Sequence, residues 1–382
     1  MSQAPHSHGL AGELVEPDWP LLAEVELHGL LAHYPALGAL HSVTWHSPRP
    51  FSTAALVRTS AGDWFVKRHH RKVRSVPWLE EEHRFVAHLR RGGVPAPKVQ
   101  ASASGATAIE QGGWSYEVHA RAEGADLYRD AQSWEPFQCQ THARAAGRAL
   151  AQLHGAAEGY TAPARQASVL VSRPQLLADA NLLGALAHHL HRQPALAHYL
   201  AGRDWQDELA RLILPAQAAL LPHLPGQPAL WTHNDWHASN LLWNADPHQP
   251  SVATVLDFGL CDRTFALYDL ATALERNAIP WLELDHGGGA RADLATVDDL
   301  LAGYASLRPL PPAAIDALCA LLPLVHLDFA VAEVAYFQGI LNNRASADIA
   351  WDGYLLRHAR WFAEVEGQRL IEHLQQRRGD WA

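Results

Sequence analysis

The sequence predicts an α+β fold in two unequal parts, a small β-rich lobe followed by a larger α-helical lobe. Two observations carry this reading. Between His41 and Ala120, short runs rich in Val, Trp and Phe alternate with turn chemistry. After Arg121, apolar residues recur at helical spacing with brief Pro and Gly breaks. A third, the length of 382 residues, exceeds one ordinary compact domain and agrees with two lobes. Residues 1–16 are expected to be a flexible tail, 17–120 the first lobe and 121–382 the second.

Trp19–Tyr34 carries Leu and Val at helical spacing and predicts a leading helix. Ser42–His46, Ala54–Thr59 and Trp64–His69 read as an antiparallel meander, joined by SPRPFST and SAG turns. Val76–Arg91 places Leu79, Phe85, Val86 and Leu89 on one helical face, and Gly92-Gly93 stops it. Pro95 and Pro97 lead into Lys98–Ser102, and further strands are expected near Ala106–Gln111 and Trp114–Ala120. Trp134–His154 predicts a long amphipathic helix, and residues 268–376 read as helices broken near Pro280, Gly287–Gly289 and Pro311-Pro312.

Composition narrows the function. Hydrophobic residues make up 48% and charged residues 18%, enough for a sizeable core. The net charge of −10 argues against nucleic acid as a partner, since phosphate-backbone binding needs clustered Lys and Arg. The one basic run, Lys67–Arg74, reads as a solvated or phosphate-facing turn. Cys139, Cys261 and Cys319 are distant and odd in number, so no disulfide framework or zinc ribbon is implied. The N-terminus lacks signal-peptide organisation, and no apolar run is long enough to span a bilayer, so a cytoplasmic protein without a membrane partner is expected. The 25 histidines are mostly scattered, with no HExxH, and read as polar substitutions rather than metal ligands.

The chemistry concentrates between Leu230 and Leu260. His233, Asp235 and Asn240 form H-x-D-x-x-x-x-N. Leu241–Trp243 and Ser251–Leu256 then predict a hairpin around Asn244–Pro247, followed at once by Asp257-Phe258-Gly259. Phosphoryl transfer needs hard oxygen ligands for Mg²⁺, which a carboxamide and a carboxylate at Asn240 and Asp257 supply. It also needs a second carboxylate to orient the acceptor hydroxyl and take its proton, which Asp235 supplies. The hairpin returns Asp257 beside Asn240.

These residues resemble the aminoglycoside phosphotransferase and choline kinase superfamily, whose members share the protein-kinase fold. THNDWHASNLLW matches its HGDxHxxNhh loop, with Asn234 where Gly is common, and VLDFGLCDRTFALYDLA matches its metal segment. The resemblance runs from about His41 to the C-terminus. It implies an ATP- and Mg²⁺-dependent phosphotransferase acting on a small-molecule hydroxyl. It further implies that Asp269 braces the catalytic loop by hydrogen bonds and that His233 is structural. His237 either lines the site or is a loop residue.

On the nucleotide side, Lys67 ends a strand and precedes a Glu-rich helix, the kinase arrangement for gripping phosphates. Glu80, Glu81 and Glu82 are consecutive; the family spacing to Val94-Pro95 selects Glu82 as the partner of Lys67. No G-x-G-x-x-G is present, so Ser52 and Thr53 are the candidates for phosphate contact in the first loop. Glu117 and Val118, before Ala122-Glu123-Gly124, are expected at the adenine hinge.

The acceptor pocket falls to the helices after Asp269, where Glu275, Glu283, Asp285, Asp328 and Glu333 are acidic. Asp328 and Glu333 lie among Phe329, Tyr336 and Phe337, a setting that suits an ammonium group. An amine-bearing alcohol is therefore expected: an amino alcohol, hydroxy amino acid or aminoglycoside. A bacterial-type protein Ser/Thr kinase and a non-catalytic nucleotide-binding pseudokinase are the alternative readings.

Overall fold

The computed structural model describes residues 7–8, 14–49, 51–244, 246, 250–284 and 289–382. Of the expected tail, Ser7–His8 and Leu14–Val15 pair antiparallel. Five strands form one antiparallel sheet: β1 (Leu40–His46), β2 (Thr53–Thr59), β3 (Gly62–His70), β4 (Ala108–Gln111) and β5 (Trp114–Ala120), in the order β1-β2-β3-β5-β4. Alternation along the strands divides their side chains between two faces. Ala55, Val57, Val66, Tyr116 and Val118 pack on one face against Leu27, Leu30 and Leu31 of helix α1 (Glu24–Leu31). Lys67 and Glu117 are register partners and therefore share the opposite face.

Helix α1 is shorter than the predicted Trp19–Tyr34. The Pro20 carbonyl accepts hydrogen bonds from the Thr53 hydroxyl and the Arg68 guanidinium, which holds the preceding chain extended along the sheet. Trp19 stacks on His70 with ring centroids 5.1 Å apart. Helix α2 spans Val76–Arg91 as predicted and turns Phe85, Val86 and Leu89 into the main core. Lys98–Ser102 makes only an isolated bridge, Val99 to His119.

The rest is largely helical. Helix α3 (Gln140–Ala157) begins six residues after the predicted start at Trp134, beyond Pro136, which cannot donate inside a helix. It packs on α5 (Leu294–Ala305) so closely that a Cβ on Gly147 would lie 2.0 Å from the Leu300 carbonyl oxygen. A Cβ on Gly303 would lie equally close to the Arg144 carbonyl oxygen. Between them in sequence come β6 (Ala229–Thr232), β7 (Leu241–Trp243), β8 (Val252–Val255), β9 (Asp262–Phe265) and helix α4 (Ala266–Ala278). Strand β6 pairs with β9, and β7 with β8, both antiparallel. Helix α6 (Leu327–Tyr336) runs directly into a π-helical turn, Phe337–Leu341. A second π-helical stretch covers Ile349–Arg357. Among the described residues no helix is long and apolar enough to cross a membrane. Asp285 and the tract His286–Gly288 lie outside the described residues.

Candidate active site

The loop between β6 and β7 is held from below. Asp269, in the first turn of α4, accepts the His233 amide on Oδ2 and the Asn234 amide on Oδ1, both at 2.8 Å. His154 of α3 meets the same Oδ2 at 3.0 Å, and its other nitrogen lies 2.8 Å from the Tyr304 hydroxyl on α5. Asp269 and His154 are fully buried, where an unpaired carboxylate would be costly, so this network fixes the loop rigidly. Asn234 has φ +62°, in the left-handed region that Gly and Asn tolerate best, which accounts for Asn where Gly is common. Its side chain accepts from the Thr232 hydroxyl at 2.7 Å and donates to the Leu260 carbonyl at 3.1 Å. The His233 ring bonds the Leu256 carbonyl at 2.8 Å and accepts from the Asp235 amide at 3.2 Å.

This scaffold projects Asp235. Its Oδ2 accepts from the Asn240 side-chain amide at 3.1 Å, with His237 Nε2 at 3.5 Å and Arg276 at 3.9 Å from Oδ1. Burial pushes the Asp235 carboxyl up, but His237 and then Arg276 outweigh it, and its pKa ends well below the usual carboxylate range. Because the Asn240 amide nitrogen faces Asp235, its carbonyl oxygen is left for another ligand. The hairpin closes with Leu241 opposite Val255 and with the Leu256 amide on the Asn240 carbonyl at 2.8 Å. That bond sets Asp257 next to the loop. Asp257, at φ +48°, lies 3.0 Å from Lys67 Nζ, joining the sheet to the helical lobe. Burial opposes the Lys67 charge, but Asp257, Glu117 and Glu82 outweigh it and hold the ammonium protonated.

Two cavities meet here. One, of about 260 Å³, runs under the sheet between Lys67, Ala120, Gly124, Leu242, Asn240 and Asp257. The other, of about 140 Å³, is bounded by Asp235, His237, Trp134, Arg276 and Glu333. Arg49, Ser52, Lys67, Asn240 and Asp257 line both and stand at the junction.

The phosphotransferase enzyme family's sequence model matches residues 51–310. The chain belongs to that family. It is a phosphotransferase of the protein-kinase-like α+β fold. Solved structures with the same fold include a microcompartment-associated aminopropanol kinase, 19% identical, with TM-score 0.61 over 92% of this chain and 99% of that one. Another is the amicoumacin kinase solved with AMP-PNP, Ca²⁺ and its antibiotic, 17% identical, with TM-score 0.58 over 91% and 96%. A third is an aminoglycoside phosphotransferase of Alicyclobacillus acidocaldarius, 16% identical, with TM-score 0.54 over 94% and 97%. No curated protein matches the chain in sequence.

Several residues of this phosphotransferase sit differently from the sequence expectation. Glu82 is buried but pairs with Arg165 at 3.4 Å, whereas Lys67 pairs with Asp257. Arg165, anchored on the Trp78, Gly259 and Cys261 carbonyls, brings Glu82 a cation from 83 residues away. Ser52 lines the cavities, but the Thr53 hydroxyl is spent on Pro20. Val118 is in the core on the far face of the sheet, whereas Glu117, His119, Ala120–Ala122 and Gly124 line the cavity. Gly124, at φ +115°, passes so close to the hairpin that a Cβ would meet Leu242 and Ala253 at 2.9 Å. The Glu117 carboxylate has His69, His83 and His119 each 2.8 Å from it. Asp328 caps backbone instead, accepting from the amides of Gln175, Leu176 and Leu177. Glu275 pairs with His358 at 3.1 Å, and Glu283 is exposed.

Glu333 differs from these. It is 2% exposed, lines the acceptor-side cavity, and has no hydrogen-bond or ion-pair partner among the described residues. Burial, resisted by Arg276, pushes its pKa up to about 8. Sequence reasoning missed Arg276, whose guanidinium lies 3.9 Å from the Trp134 ring centroid and faces Asp235. It also missed His154 and the hinge anchor, Thr254 Oγ1 on the Glu123 carbonyl at 2.6 Å. Only for Arg49 was there a signal, a cation inside the loop assigned to phosphates.

Proposed function

We propose that the enzyme transfers the γ-phosphoryl group of ATP, with Mg²⁺, to a hydroxyl of a small molecule that carries an amine. On this reading residues 17–120 carry the nucleotide, residues 121–382 carry the catalytic loop and acceptor pocket, and residues 1–16 are a tail. The observation that carries the acceptor is Glu333, a buried carboxylate without a hydrogen-bond or ion-pair partner among the described residues, on the wall that also presents Asp235. A charge in such a place is expensive unless a ligand neutralises it. An acceptor ammonium on Glu333, beside the Trp134 face, meets that requirement. The named acceptors of the aminopropanol kinase and the aminoglycoside enzyme, both amines, agree with it.

The donor set also fits the cation. Asp257 and the Asn240 side-chain carboxamide oxygen are hard ligands that would hold Mg²⁺ together with phosphate oxygens, where it would neutralise charge on the transferring group. Lys67 grips the phosphates, and Arg49 and Ser52 close over them from the sheet side. Asp235, kept ionised by His237 and Arg276, orients the acceptor hydroxyl and receives its proton late, as the bond to phosphorus forms. Asn240 holds that carboxylate in register.

The test is calorimetric titration with Mg·ATP and Mg·GTP, then ADP formation against amino alcohols, hydroxy amino acids, aminoglycosides, neutral sugars and casein. Turnover confined to amine-bearing acceptors supports the proposal, and turnover confined to neutral sugars defeats it. Asp257→Ala is expected to lose Mg²⁺-dependent nucleotide binding and activity together.

A further inference from the structure

Glu117 draws three imidazoles from three elements. His69 comes from β3, His83 from α2, and His119 lies two residues along β5 on the same face as Glu117 itself. The ligand-capable atoms His83 Nε2, His119 Nε2 and Glu117 Oε2 all lie within 4.8 Å of one another. His83 and His119 each approach Glu117 Oε2 to 2.8 Å. None of the three imidazoles has a part in the transfer chemistry described above, and Glu117 enters it only through its field on Lys67. Two imidazoles and one carboxylate are the donor set of an open zinc site, not of Mg²⁺ or Ca²⁺, which take oxygen.

We propose that His83, His119 and Glu117 form a transition-metal site of the Zn²⁺ class on the inner wall of the nucleotide-side cavity, separate from the Mg²⁺ site at Asp257. The surroundings supply what such a site needs beyond its ligands. The Thr107 hydroxyl oxygen lies 2.9 Å from His83 Nδ1, and by accepting a hydrogen bond from Nδ1–H it leaves Nε2 bare for the metal. His69 holds the other carboxylate oxygen, Oε1, at 2.8 Å and so fixes the plane of Glu117. Glu117 and His119 line the cavity, so an entry path and a fourth position for water lie on that side. Around a tetrahedral ion neighbouring ligand atoms stand about 3.3 Å apart, from metal–ligand distances near 2.05 Å. The two rings therefore move outward by about 0.5 Å, as expected when an ion replaces shared protons. Glu117, with Glu82 beyond it, already contributes to the negative field that sustains Lys67 and would meet the added charge.

The proposal is independent of the acceptor reading, and its test reads metal binding rather than turnover. Chelator-treated full-length protein is titrated with Co²⁺, followed by its visible absorption, and then with Zn²⁺ to displace it. One equivalent of Co²⁺ with intense four-coordinate bands, displaced by Zn²⁺ and not by Mg²⁺, is expected. His119→Gln, at the cavity wall, and His83→Gln should each weaken binding at least 100-fold, while Asp257→Ala binds Zn²⁺ as tightly as the unaltered protein. Should His83→Gln fail to fold, His119→Gln alone decides. The proposal is overturned by the absence of a stoichiometric site, or by Zn²⁺ affinity unchanged in His119→Gln; either would leave the cluster as a hydrogen-bond network around Glu117.

Discussion

Glu333 shows how much one residue's environment decides. Its carboxyl pKa is raised to about 8, above the ordinary value of 4.5, because it is buried. The native state therefore holds a proton there that the unfolded chain releases above about pH 4.5. The neutral acid costs least below that pH, and stability falls as pH rises towards 8. Glu333→Gln should thus raise the melting temperature at pH 8.5 by several degrees and leave it nearly unchanged at pH 4.5. The same variant should raise KM for an amine-bearing acceptor at least tenfold while changing kcat little, and KM of the unaltered enzyme should fall from pH 7 to 8.5. Thermal melts and initial rates check both. The sequence placed Glu333 and Asp328 together as candidates, five residues apart on one helix. Only the structure separates them, because the amides that occupy Asp328 belong to a segment about 150 residues away. The same holds for Glu82 and Glu117: their partners Arg165, His69 and His83 come from other elements, and no local periodicity announces such pairs.

Elements were legible where local chemistry and tertiary context agreed. Helix α2 has a clean apolar face, Pro77 in its first turn and Gly92-Gly93 after it, so its predicted and observed limits coincide. The β7–β8 hairpin was equally plain, and it delivers Asp257 to Asn240. Trp19–Tyr34 and Trp134–Cys139 misled because their Trp side chains have helical spacing yet are used on His70 and Arg276. The α3–α5 contact was not legible at all, since Gly147 and Gly303 look like helix weaknesses in sequence. Here they allow the backbones to touch, and α3 thereby delivers His154 to Asp269. Gly147→Ala should cost about 1–3 kcal/mol by overpacking and lower kcat, whereas Gly155→Ala on the same helix, with open space around it, should stabilise by a few tenths to about 1 kcal/mol. Chemical denaturation of the pair measures the difference.

At the scale of the molecule, α2 anchors the first lobe in the main core, and on the cleft side individual side chains cross between the lobes. Lys67 meets Asp257, and Phe51 packs edge-on against Tyr336 with centroids 5.4 Å apart. Arg49 spans from the first loop to the Ala131 carbonyl and Ser133 hydroxyl. On the proposed reading this loop covers the nucleotide, so its latch should govern closure and product release. Arg49→Ala is expected to raise the KM for nucleotide at least tenfold and to speed ADP release, read by stopped-flow with a fluorescent ADP. Unchanged nucleotide kinetics would remove Arg49 from the phosphate side.

On the proposed reading, Asp235 directs phosphoryl transfer to an amine-bearing alcohol in the pocket closed by Glu333. The most direct test is ³¹P NMR of the product formed from Mg·ATP and 1-amino-2-propanol, homoserine or kanamycin, with Asp235→Asn alongside. A phosphate monoester of one acceptor, formed by the unaltered enzyme and at least 1,000-fold more slowly by Asp235→Asn with nucleotide affinity unchanged, is the result expected. Monoester formation at equal rates in both proteins would contradict it.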